Sequence, residues 1–141
     1  MNTILIDTNI VSYILKTDTH AKQYAPLLEG NRLALSFATV AALFEWSEIR
    51  RWGQNRRQHL EHHLRTYLII PVDIEVCRLW GAIRAEQQAH GLAITANDAW
   101  IAATARRHGL PFVSHNPKDF AGVQGITIRS IIKPFDVNRD D

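Results

Sequence analysis

Cys77 is the only cysteine in this 141-residue chain, so no intrachain disulfide can form. That excludes a small domain stapled by disulfides and leads us to expect a reducing, cytoplasmic setting. Long hydrophobic runs are also missing. No stretch approaches the roughly 18 apolar residues of a helical membrane span. The chain opens on a strand-like run, Thr3-Ile4-Leu5-Ile6, where a secretory leader would carry basic residues and a cleavage site. Neither sign of charge dominates. Sixteen Lys and Arg face fourteen Asp and Glu, and a net charge of +2 does not by itself mark a nucleic-acid binder. Repeats and low-complexity tracts are absent too, which excludes solenoids and linker-rich architectures.

The composition that remains is 46% hydrophobic and 21% charged, that of an ordinary globular protein with a real core. We expect one domain over residues 1–132 and a polar, frayed tail over 133–141. Short apolar runs alternate with helix-length stretches. Strands are expected at 3–6, 32–36, 69–72, 111–114 and 126–128, and helices at 9–16, 21–30, 37–52, 55–68, 74–90 and 96–108. Gly91 and Gly109 stand where helices close, and Pro71 favours an edge or a strand end. This alternation implies right-handed crossovers and a mostly parallel sheet covered on both faces, an α/β fold.

Acidic residues fall at strand ends and helix starts. Asp7 follows Ile4-Leu5-Ile6 and precedes a helix, at the carboxyl edge where open parallel sheets bind ligands. It is equally well placed to cap that helix, as is Asn9. Asp98 shares a helical face with Ile101, Ala102 and Ala105, so its carboxylate is expected on the stripe that packs onto the sheet. Thr95-x-x-Asp98 also reads as a capping box. Asn116 and Asp119 follow the strand ending at Ser114, in a segment that alone is an ordinary Asn-Pro turn. Taken together, these positions bring oxygen ligands to one rim with no Lys or Arg in the Asp7 and Asp98 motifs. Hard oxygen ligands of this kind suit Mg²⁺ or Mn²⁺, and such sites hydrolyse phosphodiesters.

Ile6-Asp7-Thr8-Asn9, Asn97-Asp98-Ala99-Trp100-Ile101-Ala102-Ala103-Thr104-Ala105 and Val113-Ser114-His115-Asn116-Pro117-Lys118-Asp119-Phe120 resemble, in order and spacing, the PIN-domain family and its VapC-type toxins. The resemblance runs from Ile4 to about Ile128. It implies a three-layer α/β/α fold, a Mg²⁺- or Mn²⁺-dependent endoribonuclease acting on RNA, a small antitoxin partner and a homodimer. By the same resemblance the metal-binding acids are Asp7 and Asp98, and the last acidic position falls on Asn116, with Asp119 nearby. The family's Glu falls on Ala42, which carries no carboxylate. Either an active toxin was disarmed by substitution, the account we favour, or the acid was lost or relocated naturally. Glu45, one turn on, is then the first replacement. Thr8, Asn9 and Ser114 are expected to support the acids. Dimer and antitoxin surfaces are expected on helices 9–16, 37–52 and 55–68.

Arg50, Arg51, Arg56, Arg57 and Arg65 cluster among His59, His62 and His63. The cluster reads as a solvated basic face or as a patch that holds phosphates. Arg50, Arg51, Arg56 and Arg57 are the RNA-contact candidates, with Trp52 placed to stack on a base. The histidines lack the further ligands of a tetrahedral metal site. Trp46, Trp80 and Trp100 read as core or interface, and Cys77 as a buried structural thiol in a helix interior. An aspartate-nucleophile phosphatase would want Asp at position 9, where Asn9 stands. A phosphoacceptor domain would want paired acids beside the first strand, and they are missing. A pseudo-nuclease that binds RNA or protein without cleaving it is the more serious rival, because Ala42 interrupts the acid set.

Overall fold

The computed structural model describes residues 2–132, so the tail expected over 133–141 lies outside the described residues. The elements in chain order are β1 (Thr3–Ile6), α1 (Thr8–Leu15), α2 (Thr19–Leu28), β2 (Arg32–Ser36), α3 (Phe37–Ile49), α4 (Gln54–Leu64), β3 (Leu68–Ile70), α5 (Ile74–Ala89), α6 (Ala96–His108), β4 (Phe112–Val113) and β5 (Ile128–Arg129). A short 3-10 turn, Pro117–Phe120, lies between β4 and β5.

The strands form one sheet in the order β3-β2-β1-β4-β5, and every neighbouring pair is parallel. Parallel strands need helical crossovers, and these cover both faces, which is why the strands read as unbroken apolar runs. Alternation along β1 divides the core. Ile4 and Ile6 join Leu35, Val113, Ile10, Val11, Tyr24, Leu60 and Leu64 on the side of α1, α2 and α4. Leu5 joins Ala34, Phe112, Val76, Ile83 and Ile101 on the side of α5 and α6. α3 serves both cores, with Ala38 in one and Leu43 in the other. Each fully buried Ile or Leu contributes roughly 1.5–3 kcal/mol. The layers are α/β/α, as the sequence implies.

Chain order reverses at the centre. From β1 the chain moves outward through β2 to β3, then returns through α5 and α6 to place β4 on the other side of β1. The crevice between the carboxyl ends of β1 and β4 is therefore the topological switch point, where open sheets bind ligands.

Several boundaries differ from the sequence expectation. The helix expected over 37–52 stops at Ile49 because Arg51 turns left-handed at φ 51°. That turn lets the Trp52 N–H donate to the Ser47 carbonyl at 3.0 Å and buries the indole to 7% exposure. A left-handed non-glycine residue costs on the order of 1–3 kcal/mol, which burial of an indole offsets. The third strand begins at Leu68, in register with Ala34, and leaves Pro71 beyond its end on an edge strand. The last strand falls at Ile128–Arg129, opposite Phe112 and Val113, later than the 126–128 expected. Cys77 is exposed on α5, against the buried thiol expected, because it shares the solvent-facing side with Arg78.

Candidate metal-binding active site

The site is assembled at the switch point. Asp7 follows β1 at the carboxyl edge of the sheet and is at the same time the N-cap of α1. Its Oδ1 accepts from the Thr8 N–H at 2.8 Å and its Oδ2 from the Ser114 hydroxyl at 2.7 Å. Its own N–H continues the ladder to the Val113 carbonyl at 2.9 Å. Only 6% of the residue is exposed. Burial pushes its carboxyl up to about 6, and the neighbouring acids Asp98 and Asp119 add to the rise. The Ser114 and Thr8 hydrogen bonds oppose it.

Asp98 stands in the first turn of α6, where its N–H donates to the Thr95 hydroxyl at 3.1 Å. That is the Thr95 half of the expected capping box, and the Asp98 residue is half-buried rather than covered by the sheet like Ile101, Ala102 and Ala105. Of these four positions of the stripe, Asp98 alone lines the crevice. Burial raises the Asp98 carboxyl, and Asp119 raises it further, against the hydrogen bond from Thr95.

These acids line a cleft of about 540 Å³ together with Thr8, Asn9, Ala41, Ala42, Glu45, Trp46, Asn97, Asn116 and Asp119. Among the described residues no Lys or Arg lines it. Thr8 is buried and ties α1 to α3 through a 3.0 Å contact between its hydroxyl and that of Thr39. Asn9 accepts from the His115 N–H at 3.4 Å. Ser114 is fully buried, and its oxygen also receives the Asn116 N–H at 3.0 Å. Asn116 is exposed and makes no side-chain cap for the turn it begins. Of the two residues after β4, Asp119 is the one whose charge reaches both Asp7 and Asp98. Glu45 is exposed at the rim and contributes to neither shift.

Converging carboxylates, one of them buried, with no cationic side chain beside them among the described residues, are what a hard divalent cation neutralises. The donor set is all oxygen, which suits Mg²⁺ or Mn²⁺ rather than zinc. Among the described residues no group of three or more His, Cys, Asp or Glu is close enough to form a closed cage. Mg²⁺ commonly uses only one or two carboxylates and completes its shell with water and phosphate, so the residues present fit such an ion.

The topology, the crevice and its acids agree with a comparison of families. The PIN domain pattern matches residues 4–126. The chain belongs to the PIN domain family. Ribonuclease VapC2 of Haemophilus influenzae is 30% identical to it over 119 residues, 84% of this chain and 90% of that protein. A chain of a toxin–antitoxin complex from Klebsiella pneumoniae superposes with a TM-score of 0.66 at 28% identity, covering 88% of this chain and 95% of the other. A chain of VapBC2 from Rickettsia felis, bound to a DNA fragment from its promoter, shares the fold with a TM-score of 0.78 at 23% identity, over 91% and 98% of the two chains.

The residues expected to contact RNA are not equally exposed. Trp52 is buried and its ring lies under the Arg56 guanidinium at 4.0 Å, so it presents no face to a base. Arg57 is spent on structure. It donates to the Trp52 carbonyl at 2.7 Å and the Ser47 carbonyl at 3.2 Å, and pairs with Glu48. Arg50 and Arg51 remain exposed. Sequence reasoning missed Trp46, expected in core or interface, as a wall of the cleft. Its spacing from Ala42, four positions on one helix, carried that signal.

Proposed function

We propose that this chain is the toxin of a toxin–antitoxin pair, an Mg²⁺- or Mn²⁺-dependent endoribonuclease whose activity is impaired by Ala42. The observation that carries this reading is the group of Asp7, Asp98 and Asp119 around a cleft lined, among the described residues, by no cationic side chain. Asp7 and Asp98 would hold the ion, with Asp119 acting through water. Bound there, the metal would make a water acidic enough to act as nucleophile near neutral pH and neutralise charge on the attacked phosphate. The chain's own residues do the positioning. Ser114 and the Thr8 amide hold the Asp7 carboxylate in one orientation, and the Thr8–Thr39 contact fixes α1 against α3. No side-chain nucleophile is required, and Cys77 lies outside the cleft.

Ala42 presents a methyl group to the cleft where the family's Glu would stand, so position 42 supplies no ligand or proton acceptor and the one carboxylate that α3 brings to the cleft is Glu45 at its rim. The name of the Haemophilus relative and the toxin–antitoxin complex from Klebsiella support an RNA substrate and an antitoxin partner. Exposed Phe44, Ile49, Ile69, Val72 and Ile74 suit burial against that partner or a second copy. The same reading takes residues 1–132 as one domain, with 133–141 as its tail, and a cytoplasmic setting. No helix of the described residues is long and apolar enough to cross a membrane.

Ala42 also favours a second reading, a pseudo-nuclease that binds RNA or protein without cleaving it. The deciding experiment compares this chain with Ala42→Glu on a mixed RNA pool, with and without Mg²⁺ or Mn²⁺. Cleavage by Ala42→Glu alone, abolished by chelation, is expected. Equal cleavage by both forms would overturn the role of position 42 and point to Glu45. Cleavage by neither would favour the binding-only reading.

A further inference from the structure

The four tryptophans differ in what covers them. Trp52 is buried beneath Arg56. Trp80 and Trp100 stack on each other with centroids 4.8 Å apart, and the Phe37 ring meets Trp100 edge-on at 5.3 Å. Trp46 alone of the four lines the acidic cleft. It sits on α3 one turn beyond Ala42, half-buried, with part of its ring against the core that contains Leu43 and Trp52. The Arg50 guanidinium lies over this ring at 5.1 Å from its centroid. Arg50 is exposed and, among the described residues, takes part in no salt bridge. A planar group already occupies that ring face, and among the described residues its guanidinium has no partner but the ring.

We propose that Trp46 is a stacking platform for an unpaired base beside the scissile phosphate, with Arg50 moving from the ring to an adjacent phosphate. The inference rests on the reading of the cleft as a ribonuclease site. An aromatic ring at the edge of a metal cleft fixes the register of a flexible strand, because every base has a π face whatever its sequence. A base held in a duplex has both faces occupied and cannot use it. An exposed arginine next to the ring supplies the sequence-independent charge that holds the backbone. Trp46 is thus a substrate-positioning residue, and the acids remain the groups that hold the metal.

The test measures binding of a short fluorescein-labelled single-stranded oligoribonucleotide, and of the same strand in a duplex, to the full chain and to its Trp46→Ala, Trp46→Leu, Trp46→Phe and Arg50→Ala variants. Trp46→Leu keeps apolar packing without a π face, and thermal melts verify folding of each form. We expect Trp46→Ala and Trp46→Leu to weaken single-strand binding roughly tenfold while Trp46→Phe stays close to the parent. Arg50→Ala should lower the salt slope by about 0.7, the loss of one phosphate contact. Tryptophan fluorescence should be quenched on binding in the parent and not in Trp46→Leu. Unchanged affinity and quenching in folded Trp46→Leu, with the parent still binding, would overturn the platform and leave the ribonuclease reading standing. No RNA binding by the parent, together with no cleavage by Ala42→Glu, would overturn both.

Discussion

Ser114 and Asp7 stand 107 positions apart in the chain and 2.7 Å apart in space, joined by a hydroxyl that donates to a buried carboxylate. β1 and β4 are parallel neighbours with Ile6 opposite Val113, so the residue after each strand arrives at the same edge. The same Ser114 oxygen receives the Asn116 N–H, which links the Asp7 carboxylate to the turn that carries Asp119.

Ser114→Ala removes that link. It leaves a buried carboxylate oxygen and the Asn116 amide without their partner, at a cost of about 1–3 kcal/mol. Chemical denaturation should register this loss. The Ser114 bond lowers the Asp7 carboxyl, so its removal should raise the Asp7 titration midpoint followed by NMR.

The Asp7 carboxyl rises from 3.8 to about 6 on folding. A group raised in the folded state contributes stability below its unfolded value and loses it as pH climbs through the folded one. Metal-free protein should therefore lose about 3 kcal/mol of Asp7-linked stability between roughly pH 4 and pH 7. Asp7→Asn should show a flatter pH profile and be the more stable form at pH 7. Melts across this range measure the difference, and an identical slope in the two proteins would count against the shift.

Divalent metal should reverse that order. Mn²⁺ added at pH 7 should raise the melting temperature of the parent chain and leave Asp7→Asn almost unmoved, since only the former offers the buried carboxylate. Ala42→Glu should gain more than the parent, because it restores a ligand on the α3 side. Equal gains in all three proteins would place the ion elsewhere.

Trp52→Ala should destabilise the chain by about 3–5 kcal/mol, the cost of emptying a buried aromatic site. RNA affinity per folded molecule should stay unchanged. Arg57→Ala should also act on stability, since its donors hold the Ser47 and Trp52 carbonyls. A selective loss of RNA binding by folded Trp52→Ala would contradict the burial found here.

Much of the fold was legible because each strand is a short apolar run followed by a helix with its own cap. Asp18, Ser36, Asp73 and Thr95 cap helices in the structure and sit ahead of helical stretches in the sequence. Gly109, left-handed at φ 61°, closes α6 as its position suggests. The convergence of Asp7, Asp98 and Asp119 was also legible, since all three follow strands or open helices at one sheet edge. The tryptophans were not. Trp46 and Trp52 sit in one apparently continuous helical stretch, and a local pattern cannot show that Arg51 breaks it and turns Trp52 inward.

The sequence by itself determined the alternation of strands and helices, the acids at their junctions and the missing carboxylate at Ala42, because periodicity, caps and residue identity are local properties. Only the tertiary structure decided which tryptophan faces the cleft, which arginines are committed to carbonyls, and that Asp119 rather than Asn116 or Glu45 bears electrostatically on both Asp7 and Asp98. Those outcomes depend on burial and on distances between segments far apart in the chain, which no local pattern encodes.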